Sequence, residues 1–270
     1  MLEVKHLFLV LLIFCSLSGC AANRPQVPIG TVPLAKESTS EDERYGQEVL
    51  RQLSEQYPIS RNEDFIRRTR RIVEQLTDSR PDLSNAYWHV YVLEGDIMNA
   101  AATRGNFIFV WSKMLLEVED DAQLAAVFAH EIGHILANHP MPNPAEQANQ
   151  IITGVASAAT REVLRTSPSV GPYAGLASAA LEQVLGALII NPESQRKELE
   201  ADHIGLFLMA DAKFKPDAAL KFWEKASNNP AFNGRTPEIF SSHPSSNRRV
   251  EAIRALLPQA HRRFLIKKNN

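Results

Sequence analysis

The segment DDAQLAAVFAHEIGHILAN, residues 120–138, leaves its backbone little choice. It opens with acidic residues suited to a helix N-terminus, and Gln123 stands three after Asp120, so a helix is predicted from that point. Within it His130 and His134 lie four apart and project from one face, about one turn from each other, where two imidazoles can grip a single ion. Glu131 is turned about a quarter circle from His130. Its carboxylate can therefore take a proton from an attacking water without ligating the ion.

Zinc held in this way needs a third protein ligand and keeps one position open. The candidate is Glu198, in the segment RKELEADHIG at residues 196–205. Glu198 and Asp202 are four apart on a second predicted helix and share a face, so one carboxylate can bind zinc while the other accepts a hydrogen bond from a ligating imidazole. Glu200 points elsewhere. Three acids on one helix would otherwise read as a solvated face; the histidine pair reverses that judgement.

The rest of the chain reads as mainly helical. Ser40 and Glu43 form a capping-box pattern, and a helix runs from there to about Tyr57, where Pro58 breaks it. Phe65, Ile72, Val73 and Leu76 mark a second amphipathic helix, whose outer face around Arg67, Arg68, Arg70 and Arg71 reads as solvated. Residues 86–93 and 106–111 are rich in β-branched and aromatic side chains and read as strands. Beyond Trp111 the signals are helical, with breaks at 140–144, 167–172, 191–192 and 216. The fold class is α+β, mainly helical, with a small sheet and no internal repeat.

Across 270 residues the formal net charge is −2, so there is no general electrostatic pull toward nucleic acid, and no nucleic-acid partner is expected. The two cysteines, Cys15 and Cys20, both lie near the N-terminus. The body can hold no disulfide, no thiolate metal site and no thiol nucleophile. Residues 7–14, LFLVLLIF, follow Lys5 and His6 and precede a run of small residues, as in a secretory signal. Leu17-Ser18-Gly19-Cys20 resembles the bacterial lipobox, which implies acylation of Cys20 and attachment to a membrane through that lipid. Ala21, where an Asp would retain such a protein at the inner membrane, favours the outer one. The expected organisation is a signal peptide at 1–19, a lipidated Cys20 and tether to residue 39, a folded body over 40–260 and a tail at 261–270.

Three motifs in order, HEIGH at 130–134, ELEAD at 198–202 and SHP at 242–244 followed by Arg249, resemble the zinc metallopeptidase family of the CAAX prenyl protease, HtpX and the OMA-type proteases. The similarity extends over about residues 42–257 and is strongest toward periplasmic lipoprotein members of the BepA and LoiP kind. The resemblance implies a gluzincin-type zincin fold with its small sheet beside the HExxH helix. It further implies one Zn²⁺ per chain held by His130, His134 and Glu198, with Glu131 as general base and Asp202 behind the ligands. Asn99 and the strand through Asn106, Phe107, Ile108 and Phe109 are expected along the cleft, where a strand edge can pair with an extended substrate backbone. Ala100, Ala101 and Ala102 replace the bulkier aromatic common in relatives. His243 matches a histidine that lies near the metal, with Arg249 at its partner position. It either occupies the open position at rest or donates to the developing oxyanion. His89, His139, His203 and His261 read as ordinary residues, and residues 145–190 as a helical hairpin that packs over the cleft or touches the bilayer.

The function this implies is zinc-dependent hydrolysis of peptide bonds in unfolded or misfolded envelope proteins, on the periplasmic side of the outer membrane and in reach of the outer-membrane assembly machinery. Two readings compete with it: a lipid-anchored chaperone or assembly factor with little proteolysis, and a zinc hydrolase acting on non-peptide bonds such as cell-wall amides.

Overall fold

A computed structural model describes residues 26–139, 192–228, 243 and 247–269. The signal segment, Cys20 and the 145–190 hairpin lie outside the described residues. Helix α1 (Ser40–Gln56) begins with a capping box, but one residue earlier than expected: Thr39 accepts from the Asp42 N–H, and Asp42 accepts from the Thr39 N–H. Thr39–Asp42 and Ser40–Glu43 offer the same local chemistry. In the register adopted, Glu43 instead reaches His89, Oε1 to Nε2 at 2.8 Å. Helix α2 (Glu63–Thr77) is capped by the Asn62 side chain, and the short α3 (Pro81–Ser84) follows.

The sheet has three strands, β1 (His89–Leu93), β2 (Ala100–Thr103) and β3 (Phe107–Trp111). Their order is β1-β3-β2, with β1 parallel and β2 antiparallel to β3. Strand β3 is buried throughout because successive side chains enter different cores. Phe107, Phe109 and Trp111 pack with Val49 and Leu53 of α1, while Ile108 and Val110 join Ile72 and Phe128 in the main core. The β2 residues Ala100, Ala101 and Ala102 carry no strand signature, and their state is decided by the ladder to β3.

Helix α4 (Ser112–Glu117) leads into α5 (Asp121–Leu136). The Asp120 side chain caps α5, accepting from the Gln123 N–H at 2.8 Å, as the sequence predicts. A helix buried on almost every side is the centre of its domain, and α5 is buried along nearly its whole length. The α2 arginines are not uniformly solvated. Arg67 pairs with Glu63 and Asp64 in the open, but Arg68 and Arg71 hold Asp121 at the start of α5, at 2.7 and 2.6 Å. Helices α6 (Pro192–Asp211) and α7 (Asp217–Asn228) flank the break at Pro216.

Helix α6 crosses α5 at two glycines. A Cβ on Gly133 would lie 2.7 Å from the Ala201 carbonyl oxygen, and one on Gly205 would lie 2.9 Å from the His130 nitrogen. Only bare backbone permits this approach, and it brings the 130–134 and 198–202 segments face to face. The last helix, α8 (Asn247–Asn269), continues through Pro258 to Asn269. Residues 261–269 are thus helix rather than tail, held by Arg263 to Asp211 and His261 to Asp217. Part of the expected tether is likewise docked. Val27 N–H donates to Glu200, Arg80 to the Val32 carbonyl, Arg263 to the Gly30 carbonyl and Ala35 N–H to Asp82. No helix among the described residues is long and apolar enough to cross a membrane.

Candidate metal centre

The crossing of α5 and α6 sets the geometry. Nε2 of His130 and Nε2 of His134 stand 3.1 Å apart. Glu198 places Oε2 3.3 Å from the first and Oε1 3.4 Å from the second. His243 brings Nδ1 to 3.1 Å from His130 Nε2 and 3.2 Å from Glu198 Oε2. One donor atom from each of the four residues lies within 4.8 Å of all the others, and all four residues are buried. Ligand atoms around a tetrahedral zinc with bonds of about 2.0–2.1 Å stand about 3.3 Å from one another, which is the spacing found.

The second nitrogen of each imidazole explains why these donors converge. Asp202 Oδ1 lies 2.9 Å from His130 Nδ1, off the line of a straight hydrogen bond. The Nδ1 of His134 lies 2.8 Å from His139 Nδ1. With each Nδ1 carrying the proton, the two Nε2 lone pairs face each other, an arrangement that repels until a cation sits between them. Charge agrees. Among the described residues, the buried carboxylates of Glu131, Glu198 and Asp202 stand around the donors and Arg249 pairs with the last two, so with all three ionised the cluster is net negative and a divalent ion offsets that charge. The residues fit one zinc ion.

Arg249 does the organising on the acid side. Its Nε and Nη2 each lie 2.7 Å from an oxygen of Asp202, its Nη1 lies 3.1 Å from Glu198 Oε2 and also donates to the His243 carbonyl, and its plane lies over the Trp223 ring. Burial alone would raise both carboxyls. His243, His134 and Arg249 hold Glu198 well below the carboxylate range, and Arg249 holds Asp202 below it. Burial would lower His130, but Asp202 and Glu198 push it up to about 9, a measure of how strongly this corner favours positive charge. Burial drives His134 the other way, well below the usual imidazole range. Glu131 lies beside the donor cluster, 2% exposed, with Oε1 3.2 Å from His243 Nε2. Burial raises its carboxyl, offset in part by His243 and His130.

The structure therefore brings together His130, Glu131, His134, Glu198, Asp202, His243 and Arg249. It does not bring the expected substrate strand to the cleft. Strand β3 is central and already hydrogen-bonded on both sides, so Phe107, Ile108 and Phe109 have no edge to offer. Asn106 occupies a left-handed turn position and donates to the Tyr87 carbonyl, and the Asn99 side chain accepts from the Ala100 N–H. The edge strand on this side is β2, where Ala102 hydrogen-bonds Glu131 through its backbone. The structure adds two residues to this neighbourhood, Glu200 from the far face of α6 and His139, which reads as ordinary in the sequence. Glu200 is 4% exposed and His139 4% exposed, and they meet, Oε2 to Nε2, at 2.9 Å. The signal available was the position of His139, one turn beyond His134.

Among known proteins, the chain is 33% identical over 183 residues to the mitochondrial metalloendopeptidase OMA1 of Schizosaccharomyces pombe, covering 66% of this chain and 49% of that one. It is 27% identical over 189 residues to the beta-barrel assembly-enhancing protease of Escherichia coli O157:H7, covering 67% and 38%. A putative beta-barrel assembly-enhancing protease of Vibrio cholerae aligns over 249 residues at 26% identity, covering 89% and 50%. The chain thus spans about half the length, or less, of the curated relatives it matches. Peptidase family M48 matches residues 63–257, a span that takes in the metal helix, Glu198, His243 and Arg249. On that match, over more than half of its length, the chain belongs to peptidase family M48.

Proposed function

We propose that this chain is a zinc-dependent endopeptidase of the bacterial cell envelope, anchored through a lipid on Cys20 and hydrolysing peptide bonds of misfolded or misassembled envelope proteins. The observation that carries the enzymatic reading is Glu131: a buried carboxyl set beside four converging donors and not needed as one of them. When bound, zinc supplies a Lewis acid and a water acidic enough to ionise near neutrality. Glu131, whose burial raises its proton affinity, takes the proton from the attacking water and returns it to the leaving amide nitrogen. Arg249 and Asp202 keep Glu198 and His130 aimed inward while this happens.

The β2 edge beside Glu131 suits an extended chain better than a folded one, since backbone pairing needs an unfolded strand and reads little of its sequence. His243, with Nδ1 among the donors and Nε2 toward Glu131, supports its reading as the resting occupant of the fourth position. The envelope address rests on the lipobox-like N-terminus and on relatives named for β-barrel assembly, which also suggest outer-membrane assembly machinery as partner. The mitochondrial relatives carry a different address.

The test compares wild type with Glu131→Gln on unfolded casein. Loss of cleavage by at least about 10²-fold with one zinc per chain retained is expected. Equal cleavage by the two proteins refutes the reading, and rescue of a deletion strain by the variant would favour the chaperone instead.

A further inference from the structure

We propose that His139 and Glu200 are positioning residues for the metal centre, holding His134 in its ligating tautomer through a two-step hydrogen-bond chain. The inference rests on the metal-binding part of the function proposed above. Its direction follows from proton counting. A carboxylate has only lone pairs to offer, so Glu200 Oε2 must accept, and His139 must present N–H at Nε2, 2.9 Å away. A neutral imidazole carries one proton, so His139 Nδ1 is then an acceptor. It faces His134 Nδ1 at 2.8 Å, which must donate. His134 is left with its lone pair on Nε2, the atom that lies among the donors.

The chain is built to persist. His139 and Glu200 are both 4% exposed, so their contact lies away from bulk solvent, where losing a partner is costly. The second oxygen of Glu200 accepts from the Val27 N–H, so the carboxylate is fixed from the N-terminal strap as well as from α6. Asp202 stands in the matching place beside His130, its Oδ1 2.9 Å from Nδ1. The two acids lie on opposite faces of α6, two residues apart. A helix that served one ligand only would have no use for a buried carboxylate on its far side.

The test reads zinc affinity by competition with a chromophoric chelator, which needs no turnover. His139→Phe keeps a ring but removes the acceptor, and Glu200→Gln turns one acceptor into a donor. Each should weaken zinc binding about 10–100-fold. His139→Asn, which keeps an acceptor near the Nδ1 position, should recover part of that loss. The double variant His139→Phe/Glu200→Gln should be no worse than the weaker single one, because the residues act in series. In wild type, nitrogen-correlated NMR of the imidazoles should place the single His139 proton on Nε2, toward Glu200, with Nδ1 bare toward His134.

Wild-type zinc affinity in both single variants overturns the proposal while leaving the enzymatic reading intact. Absence of zinc binding in wild type overturns both. If a variant fails to fold, the His139 tautomer in wild type decides: a proton on His139 Nδ1 refutes the chain, because that nitrogen must accept from His134.

Discussion

Gly133→Ala tests whether the helix crossing creates the site. The new Cβ would stand 2.7 Å from the Ala201 carbonyl oxygen and 3.2 Å from its Cα, both backbone atoms of α6 that cannot rotate away. Ordinary contact begins near 3.4 Å, so α5 and α6 must part by about 0.7 Å. His130 and His134 ride on one helix and Glu198 on the other, whereas metal–ligand distances tolerate only about 0.2 Å. Overpacking of this kind costs up to about 3 kcal/mol, against which the better helix propensity of Ala returns about 1. The net loss of about 2 kcal/mol corresponds to a Tm lower by roughly 4–8 °C for a domain of this size. Calorimetry of the metal-free protein reads the packing term, and chelator competition reads the effect on zinc, expected to be at least about tenfold weaker. Because intrinsic propensity alone predicts a more stable protein, a raised Tm with unchanged zinc affinity would refute the reasoning.

Three other perturbations bear on the same account. Arg249→Met removes the paired contacts to Asp202 and the contact to Glu198 together with the charge, leaving buried carboxylates unpaired, and should cost about 3–5 kcal/mol in denaturant unfolding; a loss under about 1 kcal/mol would show that Arg249 organises nothing. His243→Ala should raise casein turnover or leave it unchanged while weakening zinc binding severalfold, whereas a drop in kcat at saturating zinc would assign His243 to the oxyanion instead. Burial works to raise Asp121, but Arg71 and Arg68 more than offset it and the carboxyl lies below its ordinary value of 3.8. A group depressed in the folded state stabilises above its unfolded pKa and loses that contribution as pH falls through the folded one. The stability gap between wild type and Asp121→Asn should therefore be full well above 3.8, about 1 kcal/mol or less after solvent screening, and close as pH falls through the lowered folded-state value; a gap that widens on acidification contradicts the pairing.

Features set by local chemistry were readable, and those set by tertiary contact were not. The Asp120 cap, the His130–His134 spacing and the Glu198–Asp202 pair depend on residues within one or two turns, and each lies where its spacing predicts. Strand β2 escaped because three alanines carry no period, and only the partner strand makes them extended. The same gap misassigned the cleft edge to β3, whose apolar run looks identical whether a strand is central or at an edge. Glu200 was correctly placed off the Glu198 face. What the helical wheel omits is that the far face of α6 is also buried and meets His139. Residues 26–35 look like linker because prolines and short side chains pack through backbone groups, as at Val27, Gly30 and Val32, and such contacts leave no pattern in composition.

X-ray absorption at the zinc edge tests the central claim most directly. The purified protein should hold one zinc with a shell of nitrogen and oxygen ligands at about 2.0–2.1 Å and multiple scattering from at least two imidazoles, one fewer in His134→Ala. A shell of oxygen alone, or an imidazole count that the His134 substitution does not change, would contradict it.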